Sequence, residues 1–187
     1  MNIRIVLACA GCLAVGLAAG GFVVARHLRP RGHVDSSQPL VHVRNEFEFT
    51  VHAPYKVGAP LFGANAERVW AGAEWDPHFA YPQPARDIPG AVFGIDHAKG
   101  HSATWINTAF DLDAGHVQYV YVIPGALVTL IDIHIAPRDA DATDVRVAYE
   151  RTSLAPDAND HVRHLGDSDR RSGPEWGDAI NAYFAKR

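Results

Sequence analysis

The sequence predicts an α+β fold: one curved antiparallel sheet covered by a C-terminal helix, behind an apolar N-terminal transmembrane helix. Three observations predict it. Five short alternating segments follow one another between Ala91 and Thr152, joined by turn-like links. The chain then closes on an amphipathic stretch, Glu175 to Lys186. Finally, Ile5 to Ala25 is a 21-residue run without charge. A sheet with one apolar face needs a cover, and a lone terminal helix supplies it.

The N-terminal run comes first. At about 1.5 Å per residue it matches the roughly 30 Å hydrocarbon core of a bilayer. Residues 1–26 therefore read as a single-pass anchor. Residues 27–40, with Pro30, Gly32, Ser36, Ser37 and Pro39, read as a linker. A cleaved secretory signal is the competing reading, because Val23-Val24-Ala25 makes a small-residue cleavage site. Signal peptides, however, carry apolar regions of only about 7–15 residues. Arg26, Arg29 and Arg31 follow the run against Arg4 before it, which leans the downstream domain toward the cytoplasm. Cleavage would instead leave that domain secreted or periplasmic.

Residues 41–187 form the folded domain. Val41 to Val51 alternates, with Phe47, Phe49 and Val51 on one face and Glu48, Thr50 and His52 on the other, which is the pattern of a half-buried strand. Ala53-Pro54 ends it. Lys56 to Trp70 has helical spacing interrupted by Gly58, Pro60 and Gly63, and predicts one or two broken helices. Glu74 to Pro89 reads as a loop, punctuated by Pro77, Pro82, Pro84 and Pro89. Strands are then expected at Ala91 to His97, Ser102 to Asp111, Gly115 to Ile123, Leu127 to Ala136 and Asp144 to Thr152. Their short Gly-, Pro- and Asp-bearing links imply an antiparallel meander. A helix is expected to start near Pro156, capped by Asp157, and to be interrupted by Gly166-Asp167-Ser168-Asp169 and Ser172-Gly173-Pro174. In the last helix, Pro174 suits the first position and Glu175 the positive end of the dipole. Trp176, Ala179, Ile180, Tyr183 and Phe184 make its apolar stripe.

Composition excludes several classes. A net charge of −4 and a pI near 6.2 leave no electrostatic footprint for nucleic acid. Both cysteines, Cys9 and Cys12, lie in the apolar run, so the folded domain holds neither disulfides nor cysteine metal sites. No Gly-x-Ser-x-Gly elbow or phosphate-binding glycine loop is present.

Phe47-Glu48-Phe49-Thr50-Val51 before Ala53-Pro54, then Trp70 and Trp75-Asp76-Pro77, begin a series that continues through Gly90-Ala91-Val92-Phe93 and Thr104-Trp105. It runs on through Tyr119 to Gly125, Val145 to Leu154 and the closing helix Glu175 to Phe184. This order resembles the helix-grip domains of the SRPBCC superfamily, which includes START-like, polyketide-cyclase-like and plant pollen-allergen-like proteins. The resemblance implies a seven-stranded antiparallel sheet wrapped around the last helix, with an apolar ligand cavity between. Its long helix is normally continuous, so the two glycine-bearing interruptions are a departure.

Two residue pairs that include histidine invite a metal reading. His161 and His164 are neighbours on one helix face, and Asp132 and His134 share a strand face. Zinc or iron sites need three or four converging ligands, so neither a metal nor a cofactor is expected. Asp132 and His134 alternate with Ile131, Ile133 and Ile135. The larger apolar set takes the covered face, which puts the polar pair at the surface. In the reverse register they would be the catalytic acid–base candidates inside the cavity. The expected cavity lining is Trp105, Tyr119, Tyr121, Trp176, Ile180, Tyr183 and Phe184, with Trp176 meeting the tyrosines across it.

The expected function is binding of a hydrophobic small molecule or lipid by a membrane-anchored domain, with Lys56 to Pro89 as the cavity mouth. The alternatives are a cyclase- or aromatase-like enzyme using an acid–base pair, and an envelope interaction scaffold without a ligand.

Overall fold

The computed structural model describes residues 39–97 and 101–187. The expectations for the Ile5–Ala25 run, most of the linker and the turn Ala98-Lys99-Gly100 lie outside these residues. Among the described residues, no helix is long and apolar enough to cross a membrane.

Seven strands form one antiparallel sheet: β1 (His42–Val51), β2 (His78–Tyr81), β3 (Val92–His97), β4 (His101–Asp111), β5 (His116–Ile123), β6 (Leu127–Pro137) and β7 (Thr143–Ser153). Their spatial order is β1-β7-β6-β5-β4-β3-β2. The strands expected from alternation all form, with ends shifted by one residue at most. The additional strand is β2, which lies inside the segment expected to be a loop and pairs with β3 across a bulge between Phe79 and Tyr81. At four residues between Pro77 and Pro82, β2 is too short for periodicity to reveal. Its partner strand creates it.

The broken-helix segment resolves into α1 (Tyr55–Gly58) and two 3-10 turns, Ala59–Phe62 and Ala66–Val69. Indole N–H groups of Trp70 and Trp75 donate to the Leu61 and Ala64 carbonyls, each at 2.8 Å, and the Tyr119 hydroxyl donates to the Phe62 carbonyl at 2.8 Å. The two indole bonds fold the segment on itself, and the Tyr119 bond fastens it to β5.

The C-terminal helices correct the sequence reading. After a 3-10 turn at Pro156–Ala158, α2 spans Asn159–Asp169 and runs straight through Gly166-Asp167-Ser168-Asp169. The break falls only at Arg170 and Arg171. The last helix, α3, spans Ser172–Phe184, so it begins ahead of Pro174. The reason is close approach rather than propensity. An added Cβ on Gly166 would stand 3.0 Å from the Val43 side chain, and on Gly173 and Gly177 it would stand 3.3 Å from Phe47 and Phe49. All three glycines therefore let the helices lie directly on β1, and that docking compensates the propensity lost at glycine. Val117, Ile131, Ile133, Val147, Trp176 and Ile180 belong to the core of sheet and helices, each at most 2% exposed.

Candidate functional site

Strand register builds the interior. Residues directly opposite one another across the sheet form one row: Val43, Arg151, Thr129, Tyr121, Trp105, Phe93 and Phe79. Opposed side chains on one face stand close enough to stack. Phe79 and Phe93 lie 5.2 Å apart, Phe93 and Trp105 5.8 Å, and Trp105 and Tyr121 4.3 Å, all nearly parallel. Four residues of the row thus form a ladder of stacked rings, and beyond it, past Thr129, stands a cation.

That cation is buried. The Arg151 Nε and Nη2 groups donate to the two Asp169 carboxylate oxygens, both at 2.7 Å, and both side chains are at most 7% exposed. Nη1 donates to the Thr129 hydroxyl at 3.1 Å and to the Tyr121 hydroxyl, while the guanidinium carbon sits 4.5 Å over the Tyr149 ring. Burial works against the charge, but Tyr121, Asp169 and Tyr149 outweigh it and hold the guanidinium protonated. Since Asp169 is the last residue of α2, this bidentate pair ties the helix end to β7, the strand beside the edge strand β1.

Three buried polar atoms have no hydrogen-bond partner among the described residues: Glu67 Oε2, Trp105 Nε1 and His161 Nδ1. Glu67 comes from the second 3-10 turn and is 2% exposed. Desolvation, and then the neighbouring Asp87 carboxyl, push its pKa well above the ordinary value of 4.5, which favours the neutral acid. Asp87 is itself raised by burial, although backbone N–H groups of Asn65 and Ala66 bond to it at 2.7 and 3.2 Å. Burial also pushes the Tyr119 and Tyr149 phenols up, so both stay protonated. Desolvation, then Arg151 and His164, lower His161. His164 is exposed as expected, but His161 turns partly inward against the Arg151 charge rather than lying on a solvated face.

Trp105, Tyr119, Tyr121, Trp176 and Ile180 are all buried in the interior. Tyr183 and Phe184 are half-buried and pack edge to face at 5.3 Å near the end of α3. The expected meeting of Trp176 with the tyrosines is not made among the described ring pairs. Trp176 instead packs on Phe47, Phe49 and Trp70 at 5.6, 6.3 and 5.5 Å, while Tyr119 and Tyr121 join Trp105. The interior therefore has two aromatic groups, one under α3 and one along the ladder.

Asp132 and His134 lie on the outer face, because Ile131, Ile133 and Ile135 take the inner one at 5% exposure or less. They make no acid–base pair in the interior. Asp132 accepts from His116 at 2.7 Å, Gln118 at 2.9 Å and His134 at 3.1 Å. Burial alone would raise this carboxyl, but the bonds from His116 and Gln118 outweigh it and hold it below the ordinary range.

Sequence reasoning missed Arg151, Asp169 and Glu67. For Arg151 a signal was present: Val145, Val147, Tyr149 and Arg151 share one parity, so a strand whose valines face inward carries its arginine inward too. Glu67 had none, because tertiary packing alone buries it.

No family model matches the chain, and no curated protein matches it by sequence. Solved structures do match its fold. Norcoclaurine synthase from Thalictrum flavum, in complex with dopamine and hydroxybenzaldehyde, aligns at 14% identity with a TM-score of 0.55, covering 79% of this chain and 89% of that one. An uncharacterised protein from Rhizobium leguminosarum aligns at 15% identity and a TM-score of 0.56, over 80% and 98% of the two chains. Ara h 8.0201 aligns at 17% identity and 0.54, over 79% and 100%. At these identities the likeness is one of fold, and the fold is the helix grip.

Proposed function

We propose, with the SRPBCC helix-grip fold as premise, that this chain binds a hydrophobic small molecule or lipid between the sheet and its C-terminal helices, oriented by Trp105 and Glu67. The observation that carries the reading is the pair of buried, unpaired polar atoms, Trp105 Nε1 and Glu67 Oε2, in an aromatic interior. Leaving such a group unsatisfied costs about 1–3 kcal/mol, a cost that a ligand's own polar atoms can relieve. An indole N–H only donates, and a neutral carboxyl both donates and accepts. A ligand with a flat apolar body and one hydroxyl or carbonyl group matches that set. The stacked rings of Phe79, Phe93, Trp105 and Tyr121 offer such a body an apolar wall, at about 25 cal/mol per Å2 buried. The norcoclaurine synthase complex, with dopamine and hydroxybenzaldehyde bound, is support of the same kind.

The Ile5–Ala25 run enters this proposal as a single-pass membrane anchor that would hold the grip beside a ligand able to partition into the bilayer. Protease accessibility of the domain in sealed membrane vesicles tests which side it occupies.

Native mass spectrometry of the purified chain, followed by tryptophan-fluorescence titration with hydroxybenzaldehyde and with a fatty acid, tests the binding reading. The expected result is a stoichiometric adduct whose affinity falls about tenfold in Trp105→Phe and in Glu67→Gln, equivalent to about 1.4 kcal/mol. A clean mass, with equally weak binding in wild type and both variants, overturns it and favours the scaffold.

A second reading rests on Glu67 itself. A carboxyl held protonated by burial is a general acid, and it replaces Asp132 and His134 as the proton donor of a cyclase- or aromatase-like enzyme. In that case Glu67→Gln abolishes turnover while ligand affinity changes little.

A further inference from the structure

We propose that His116, Asp132 and His134 form a binding site for a borderline divalent transition-metal ion, of which zinc is the reference case, on the outer face of the sheet. This site is independent of the interior. It uses a face of β5 and β6 that the ligand reading leaves idle, and a residue, His116, that neither of the two pairs read from the sequence includes.

The geometry starts from register. His116 stands directly opposite His134, and Gln118 directly opposite Asp132. Two opposed histidines on one sheet face are held at close range by the ladder itself, without a flexible loop. Their rings stack 5.0 Å apart with 15° between planes. Both Nε2 atoms converge on one carboxylate, His116 on Oδ1 at 2.7 Å and His134 on Oδ2 at 3.1 Å. One donor atom from each of the three residues lies within 4.8 Å of the other two. With metal–ligand bonds of about 2.0–2.2 Å, tetrahedral donors stand about 3.4 Å apart, so small side-chain rotations close the site.

The chemistry agrees with the geometry. Each neutral imidazole can carry its proton on Nδ1 and free the Nε2 lone pair that now faces Asp132. Two imidazoles and a carboxylate form a mixed nitrogen–oxygen set suited to zinc, copper or nickel rather than to calcium or magnesium. Gln118 donates to Asp132 Oδ1 at 2.9 Å, which orients the carboxylate as outer-sphere partners of metal ligands do. The site is reachable: the three side chains are 32%, 28% and 48% exposed, and His134 also lines an open groove of about 710 Å3 with Arg138 and Arg146. Water completes the coordination there. As a purely structural feature the cluster has little to offer, since exposed ion pairs contribute only about 0–1 kcal/mol.

The test is zinc chloride titration of the full chain carrying Cys9→Ser and Cys12→Ser, which removes the N-terminal thiols as competing ligands. Calorimetry is paired with cobalt(II) absorption, whose band positions report a nitrogen–oxygen ligand set directly. The expected result is one equivalent of metal bound, weakened about tenfold or more by His116→Gln, His134→Gln or Asp132→Asn, each with unchanged circular dichroism. Gln118→Ala is expected to weaken it about tenfold at unchanged stoichiometry, the effect of losing an orienting partner. Zinc affinity that is the same in the two histidine variants as in their parent places the metal elsewhere and overturns the proposal. So does an absence of binding at zinc concentrations of about 100 μM, which is weaker than about 5.5 kcal/mol of binding free energy.

Discussion

Replacing Glu67 with glutamine is expected to remove a negative slope from the pH dependence of stability. Glu67 is 2% exposed, and its pKa in the folded chain lies well above 4.5. Between those two values the unfolded chain has released a proton that the native chain still holds. Stability therefore falls as pH rises, by about 1.4 kcal/mol per unit. The contribution is complete below about pH 4.5 and is lost progressively until pH passes the folded-state value. His161 acts in the opposite sense, because its pKa is lowered from 6.5 and stability rises with pH in the window below that value. The wild-type profile alone mixes the two, whereas the difference between wild type and Glu67→Gln isolates the carboxyl. Urea midpoints measured across that range in both proteins provide it. The two curves should converge in acid and separate as pH rises, with the glutamine variant the more stable. Parallel curves would mean that Glu67 is ionised or hydrated in the native chain, and the proton-donor role would go with them.

Asp169→Asn is expected to destabilise by about 3–5 kcal/mol, because it leaves the Arg151 charge buried without its counterion. The double change Arg151→Met with Asp169→Leu should cost far less than the sum of the single changes, and additivity in denaturant melts would refute the coupling. Gly115→Ala should cost about 2 kcal/mol or more by chemical denaturation: Gly115 has φ +65°, and an added Cβ would stand 2.1 Å from the Ile135 carbonyl oxygen. A near-neutral result would show that the turn relaxes freely. Ile180→Ala, at a fully buried position under the sheet, should cost about 2–5 kcal/mol, and a smaller loss would mean the helix settles into the space.

What the sequence revealed and what it hid divide along physical lines. Strands β5 and β6 were legible because Val117, Tyr119, Tyr121 and Ile123, and then Ile131, Ile133 and Ile135, keep one parity over a whole strand. The helix α2 was half hidden, because its mean character is polar and only Val162 and Leu165 mark its buried face, while Gly166, which lies against Val43, carries no hydropathy signal. The meeting of Trp176 with the tyrosines failed for a different reason. A helix stripe says which side chains face the sheet, but the register of helix on sheet decides which strand each one meets. Trp176 therefore came to rest over Phe47 and Phe49 on the edge strand, with Gly173 and Gly177 allowing the approach.

Both candidate sites then follow from a single fact of strand geometry. Successive residues of β6 point to opposite faces, so the parity that sends Thr129 inward to meet Arg151 sends Asp132 and His134 outward to meet His116. A register slip of one residue in β6 would put the isoleucines in water and the carboxylate against the aromatic ladder, at a cost no domain of this size could bear. The arrangement is therefore fixed as a unit. Along the inner row, Arg151 is neutralised by Asp169, which leaves Glu67 and Trp105, with His161 on α2, as the groups with unused hydrogen-bonding capacity among the buried side chains of the described residues. On the outer row, Asp132 is engaged by two imidazoles and an amide, so its unused capacity is for replacing shared protons with an ion. The inner face can therefore recognise a polar group on an apolar body, and the outer face can recognise a bare cation. Glu67→Gln and His134→Gln should separate the two, each weakening its own response about tenfold and leaving the other at wild-type strength.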